Sequence, residues 1–350
     1  MKKSKGIILI STLIINTLIF TSCSESKNKQ EDKEIKIGIT LYKQEDKFIS
    51  NIATSLEETV AKKSLEENIS IKLDFADAKG SSINQGNQVD KFISQNYDVI
   101  CVNLVDRTAA STIIDKARKA NIPIIFFNRE PVEEDMNRWN KLFYVGAKAE
   151  ESARLQAEII IDEWVANKNE IDKNKDGKIQ YVILEGEHGH QDTSIRTEYA
   201  IKALIEKNIE VEKLATDTAN WQSDQAISKM NKWIESFGDE IEVVFSNNDV
   251  MALGAIHAIN SNDIFTRKPL VVGIDGISEA LEAVNNGEMV GTVISDYKLQ
   301  AQAIFDISYA LTRNKDLEGI KNIENLEKNK YIKTDHTKVN KENIKNFIKK

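Results

Sequence analysis

Hydrogen-bonding and aromatic side chains recur just beyond short apolar segments of this chain. Asp46 and Phe48 follow Ile35–Thr40, and Asn128 follows Ile122–Phe127. His190, Asp192 and Arg196 follow Gln180–Leu184, and Asn248 follows Glu242–Ser246. Asp275 follows Leu270–Ile274, Ser295 and Asp296 follow Met289–Ile294, and Trp221 closes the segment Thr216–Trp221. Planar carboxylates, amides and guanidinium groups bond adjacent hydroxyls in pairs, while aromatic rings cover apolar C–H faces. The set therefore suits a polyhydroxylated ring such as a sugar. Each residue alone has a plainer reading: an Asp after a strand caps the next helix, and Phe48 or Trp221 fills a core. Only their recurrence points to a ligand.

A second constellation is Asp172-Lys173-Asn174-Lys175-Asp176-Gly177-Lys178-Ile179-Gln180. Asp172, Asn174, Asp176 and Gln180 stand at the first, third, fifth and ninth positions of a calcium loop. Gly177 supplies the sharp turn, and Lys178 its backbone carbonyl. The twelfth position, which needs a bidentate Glu, is Ile183. The loop is thus not a complete EF-hand, and its last carboxylate must come from elsewhere. The plainer alternative is a solvated Asn/Asp/Gly turn without metal. A third pattern, His188-Gly189-His190-Gln191-Asp192, has the His-x-His-x-Asp form of binuclear metallohydrolases. It needs further histidines, and only His257, in an apparent helix Met251–Ala258, and His336, in a polar tail, remain. No Gly-x-Ser-x-Gly elbow, Gly-x-Gly-x-x-Gly turn or Gly-Lys-Ser/Thr loop occurs, so hydrolase and nucleotide-site readings lack their usual motifs.

These side chains need a scaffold that presents strand ends. Strand-like and helix-like segments alternate: Ile35–Thr40, helix Phe48–Glu67, Ile71–Phe75, helix Asn84–Gln95, Val99–Asn103, helix Ala109–Ala120, Ile122–Phe127. Leu142–Gly146 precedes a helix over Glu151–Asn167; the strands Gln180–Leu184, Glu242–Asn247, Leu270–Ile274 and Met289–Ile294 follow, each trailed by a helix. Repeated βα units predict parallel sheet covered on both faces, and about ten strands favour two α/β lobes over one sheet. Ligands of such sheets bind outside the carboxyl ends of the strands, where the polar residues fall.

The chain has 350 residues and a net charge of −8, more acidic still without Lys2, Lys3 and Lys5. It offers no basic footprint for nucleic acid. Those lysines precede an uncharged apolar run, Gly6–Phe20, too short for a membrane span of ~20 residues and suited to a signal peptide. Thr21-Ser22-Cys23 follows and resembles a lipoprotein signal: residues 1–22 would be removed, Cys23 lipidated, and 23–34 left as a charged tether to the membrane. Cys101 then has no partner, and no disulfide is expected.

Several segments resemble the galactose/glucose-binding family, the periplasmic-type binding components of sugar ABC importers. They are Ile37–Lys43, Asn103–Asp106, Phe126–Pro131, Tyr144–Gly146, Asp172–Gln180, Gly186–Arg196, Asn247–Asp249, Val272–Asp275 and Gly291–Val293. The resemblance spans residues 35 to about 345. It implies an α/β fold of two Rossmann-like lobes joined by three hinge crossings, the type I periplasmic binding protein architecture. One lobe would hold residues 35–145 plus 297–332 and the other 147–295 plus 335–350, with crossings near Val145–Ala147, Ser295–Tyr297 and Lys333–Asp335. It implies that Phe48 and Trp221 stack on D-galactose or D-glucose, and that Asp46, Asn128, His190, Asp192, Arg196, Asn248 and Asp275 bond its hydroxyls. Ser295 stands where the family has Asn, which keeps another monosaccharide, a pentose or a different hexose, as an alternative. Glu242 would complete a structural calcium site. The partners implied are an ABC permease with its ATPase, with room for a chemoreceptor, and the protein would act as a monomer without catalysis. The remote alternative is a metal-dependent hydrolase using His188, His190 and Asp192. Sugar-responsive repressors share the two-lobed fold but begin with a helix-turn-helix, where this chain has a leader and an acidic tether.

Overall fold

The computed structural model describes residues 34–313, 317 and 330–348. The apolar leader, Cys23 and the tether up to Lys33 lie outside the described residues. In the first half of the chain β1 (Ile35–Leu41), α1 (Lys47–Glu67), β2 (Ile71–Asp77), α2 (Ser82–Ser94), β3 (Val99–Val102), α3 (Ala110–Ala120), β4 (Ile124–Phe127), a short α4 (Glu133–Met136) and β5 (Leu142–Ala147) succeed one another. Then come α5 (Ala149–Ile171), β6 (Lys178–Glu185), α6 (Gln191–Glu206), β7 (Glu210–Thr218), α7 (Ser223–Phe237), β8 (Val243–Ser246) and α8 (Asp249–Asn260). The chain ends with β9 (Leu270–Val272), α9 (Ser278–Asn286), β10 (Gly291–Ser295), α10 (Tyr297–Thr312), β11 (Tyr331–Thr334) and β12 (His336–Asn340).

The strands form two sheets, ordered β11-β5-β4-β3-β1-β2 and β12-β10-β9-β8-β6-β7. Among the described residues every pairing of named strands is parallel except β10 with β12. The expectation of two α/β lobes in place of one sheet therefore holds. Central strands such as Val99–Val102 and Ile124–Phe127 are buried along their whole length, as parallel strands covered by helices on both sides must be. One face of the first sheet packs Ile37, Ile39 and Phe127 against α1 and α10; the other packs Ile100, Val102 and Phe126 against α2 and α3. The second sheet is clad in the same way by α7 and α8 on one face and α5 and α6 on the other.

The chain passes between the sheets at Lys148, at Asp296 and at Asp335. Lys148 and Asp335 are ion-paired at 2.5 Å, tying the first crossing to the third. In each sheet the strand order reverses once, between β1 and β3 and between β6 and β8. At such a reversal the following helices diverge to opposite faces and leave a crevice at the strand ends. Several helices end where an asparagine takes the left-handed conformation: Asn68 (φ 52°) after α1 and Asn121 (φ 57°) after α3. An amide side chain tolerates that backbone better than most, so it stops a helix without glycine.

Three strands go beyond those read from sequence: β7, β11 and β12. Strand β7 is an edge strand whose residues are all exposed or half-buried, so it lacks the apolar run that marks a central strand. The other two are short, with too few apolar residues to stand out; they are strands because β5 and β10 offer them hydrogen bonds.

Candidate functional site

A cavity lies between the two lobes at the carboxyl ends of the strands, where ligands of open α/β sheets bind. The first lobe contributes Asp46 and Phe48 from the start of α1 and Asn128 from the end of β4. The second contributes His190, Asp192 and Arg196 from the start of α6, Trp221 before α7, Asn248 before α8, and Asp275 after β9. These are nine of the ten residues singled out for a ligand by sequence. The tenth, Ser295, is not among the lining residues: it is buried at the end of β10, where its Oγ accepts from Gln300 Nε2 at 3.2 Å. Its short side chain is held within the hinge region.

Helix capping sets how several of these groups face the cavity. Asp46 Oδ1 accepts from the Ile49 amide at 3.0 Å, and its Oδ2 accepts from the Tyr42 hydroxyl. Asn248 Oδ1 accepts from the Met251 amide at 3.0 Å, which leaves its Nδ2 as the donor. His190 Nδ1 accepts from the Asp192 amide at 3.1 Å. Burial and the nearby Arg129 and Arg196 hold its pKa well below the ordinary value. The ring is therefore neutral with its proton assigned to Nε2, a second donor. An edge-on contact with Trp221, 5.2 Å between ring centroids, keeps it in place.

Arg196 organises the charge. Its guanidinium donates to the Asn247 carbonyl at 2.8 Å and pairs with Asp192 at 3.1 Å and Asp275 at 3.6 Å. Burial raises the pKa of both carboxylates, and the Arg196 charge opposes the rise in each. Its Nε is buried without a hydrogen-bond partner, a donor left for a ligand or water. Sequence reasoning missed Tyr42, Ile49 and Arg129, which also line the cavity. Arg129 lies 3.8 Å above the centre of the Tyr42 ring and pairs with Glu187 at 2.6 Å. Both sit in the same strand-end loops as Asp46 and Asn128, so position relative to the strands was the available signal. Tyr42, buried beside Asp46, has its hydroxyl pKa raised far above the usual phenol range and serves as a donor.

The loop 172–180 forms a separate site at the start of β6. Asp172 Oδ2 accepts from the Gly177 amide at 3.0 Å, while Asp172 Oδ1 and Gln180 Oε1 are buried with no donor. Glu242 bridges the two ends of the loop, accepting from the Lys173 amide at 2.6 Å and the Gln180 amide at 3.0 Å. Burial, with the Asp172 charge adding, pushes Glu242 up to about 6. Two orphaned acceptors and crowded carboxylates in one oxygen-rich loop fit a hard cation. The His-x-His-x-Asp pattern, by contrast, does not converge. His188 and His257 are exposed, and His190 Nδ1 is committed to the backbone. Among the described residues no three His, Cys, Asp or Glu side chains gather as a metal cluster, so a cation in the 172–180 loop would draw on amide and carbonyl oxygens as well. The hydrolase alternative is corrected on this geometry.

A profile described as a periplasmic binding protein domain matches residues 37–316. The chain belongs to the periplasmic binding protein family. Family members bind a ligand for a transporter and are not enzymes. Among curated relatives, the D-galactose/methyl-galactoside binding periplasmic protein MglB of Haemophilus influenzae is 36% identical over 97% of this chain and 99% of its own. A xylitol-binding protein of Mycolicibacterium smegmatis is 29% identical over 85% of this chain and 78% of its own. Among solved structures, an ABC transporter solute binding protein of Bacillus halodurans with bound myo-inositol superposes with a TM-score of 0.73 at 29% identity. It covers 89% of this chain and 96% of that one. Among the described residues no helix is long and apolar enough to cross a membrane.

Proposed function

We propose that the protein is the extracytoplasmic sugar-binding component of an ABC importer and that its cavity takes D-galactose or D-glucose. The observation that carries this reading is the division of labour between lobes. Asp46, Asn128 and Phe48 from the first lobe and Asp192, Arg196, Asn248, Asp275 and Trp221 from the second line one cavity. Such a ring of donors and acceptors satisfies a sugar only when both lobes touch it, so the ligand favours the closed form. The similarity to the Haemophilus influenzae protein supports a hexose of the galactose kind. A second reading, another monosaccharide or a polyol, is favoured by the relatives that bind xylitol and myo-inositol. The partners are then an ABC permease and its ATPase, and Cys23 is the lipidated residue that anchors the chain to the membrane. For the loop 172–180 we propose a structural calcium ion held by Asp172, Asn174, Asp176, the Lys178 carbonyl, Gln180 and Glu242.

Calorimetric titration of the protein with galactose, glucose, ribose, xylose, xylitol and myo-inositol tests the ligand. Tight binding of galactose or glucose is expected. Binding of a pentose or polyol with neither hexose would favour the second reading, and chemical conversion of any sugar would overturn both.

A further inference from the structure

Asp249, the first residue of α8, stands behind the cavity wall and does not line it. It is completely buried, at 0% exposure, a costly place for a carboxylate unless each oxygen has partners. Both do. Oδ1 accepts from the Thr292 hydroxyl at 2.6 Å, and Oδ2 accepts from the amides of Gly276 at 2.7 Å and Ile277 at 3.0 Å. The Asp249 amide in turn donates to the Ile274 carbonyl at 2.7 Å. One side chain thereby ties together α8, β10 and the turn that follows β9. Gly273 leaves the space for this: a Cβ there would stand 2.3 Å from Asp249 Oδ1.

The turn so held carries Asp275, whose φ of 125° lies where L residues are rarely found. A non-glycine residue keeps such a backbone only where its surroundings over-determine it. Around Asp275 they do: its amide donates to Val293 at 2.8 Å, its carbonyl accepts from Ser295 at 3.1 Å, and Asp249 grips the next two amides. The result places the Asp275 carboxylate in the cavity, 3.6 Å from Arg196.

We propose that Asp249 is a positioning residue of the ligand site, clamping the 275–277 turn so that Asp275 meets the ligand and Arg196 in its unusual backbone conformation. The inference rests on the cavity being the sugar site and goes beyond that reading by naming a residue that never touches the sugar. Its signature is dependence on Asp275. Asp249→Ala should weaken binding of the best-bound sugar of the panel by about tenfold or more, as loss of three buried bonds implies. In an Asp275→Ala background the same change should cost no more than about twofold, the range within which independent effects are resolved. Asp249→Asn, whose Oδ1 can accept from both amides while Nδ2 donates to Thr292, should bind within about threefold of wild type. Should Asp249→Ala fail to fold, the same cycle is run with Thr292→Val, which removes one leg of the clamp at constant shape. Losses that simply add to those of Asp275→Ala, or an Asp249→Ala protein that binds like wild type, would overturn the inference while the functional reading stands. A wild type that bound no sugar would take both down.

Discussion

Asp46, His190 and Asn248 each use one polar atom to cap a helix, and all three line the cavity. The cap fixes the side chain's orientation before a ligand arrives, so less rotamer freedom is lost on binding. At these positions the helix-cap reading and the ligand reading of the sequence are both correct, which is why neither alone was decisive there. Trp221 is held by a different device. It sits in a left-handed conformation (φ 65°), and its ring lies over Gly186, where a Cβ would stand 2.0 Å from the ring. Gly186 itself has no unusual φ, so its value here is the missing side chain. Gly186→Ala should therefore displace the indole and weaken sugar binding to about the extent of Trp221→Ala, ~1–3 kcal/mol for lost aromatic contact. Fluorescence titration of both variants checks this, and wild-type affinity in Gly186→Ala would show that the ring does not depend on that gap.

At the scale of elements, the loop between α5 and β6 illustrates what was legible and what was not. Asp172 to Gln180 could be read directly, because consecutive ligands obey a fixed spacing. The Glu242 partner could not be read from that spacing, since only the pairing of β6 with β8 brings it near. Tyr42 and Arg129 escaped for a related reason: their stacking joins loops after β1 and β4, far apart in sequence. Strands β7, β11 and β12 escaped because edge strands owe their structure to a neighbour's hydrogen bonds and not to an apolar run. If calcium occupies the loop, it stabilises only the folded state, by ~2.7 kcal/mol at a hundredfold excess over Kd. Chelator should then lower the Tm of the wild type by several degrees and leave that of Asp172→Ala nearly unchanged. Equal chelator sensitivity in the two proteins would remove the ion from this loop.

For the whole molecule, the decisive question is what holds the lobes together. Among the described residues, contacts that cross between them away from the hinge include Arg129 with Glu187 at 2.6 Å, Gln191 Nε2 donating to the Asn128 carbonyl at 2.9 Å, and Lys47 with Glu279 at 2.9 Å. Lys47 and Glu279 are half exposed, at 45% and 50%, so their pairing contributes ~0–1 kcal/mol and fades with salt. The Arg129 side chain is only 5% exposed, and its guanidinium also donates to Val105 at 3.0 Å while resting on Tyr42. Removing Glu187 would leave that buried charge without its carboxylate in the closed form, whereas opening would return it to water. The loss falls on closure, and apparent affinity scales with the closed fraction. Glu187→Ala should thus weaken sugar binding by ~1–3 kcal/mol, chiefly through faster dissociation, because the contact exists only after the lobes meet. Lys47→Ala should change affinity by no more than ~1 kcal/mol, and the difference should vanish at high salt. Stopped-flow measurement of Trp fluorescence separates the two rates. A Glu187→Ala protein that released sugar at the wild-type rate would mean that the ligand alone, and not this pair, keeps the cleft shut.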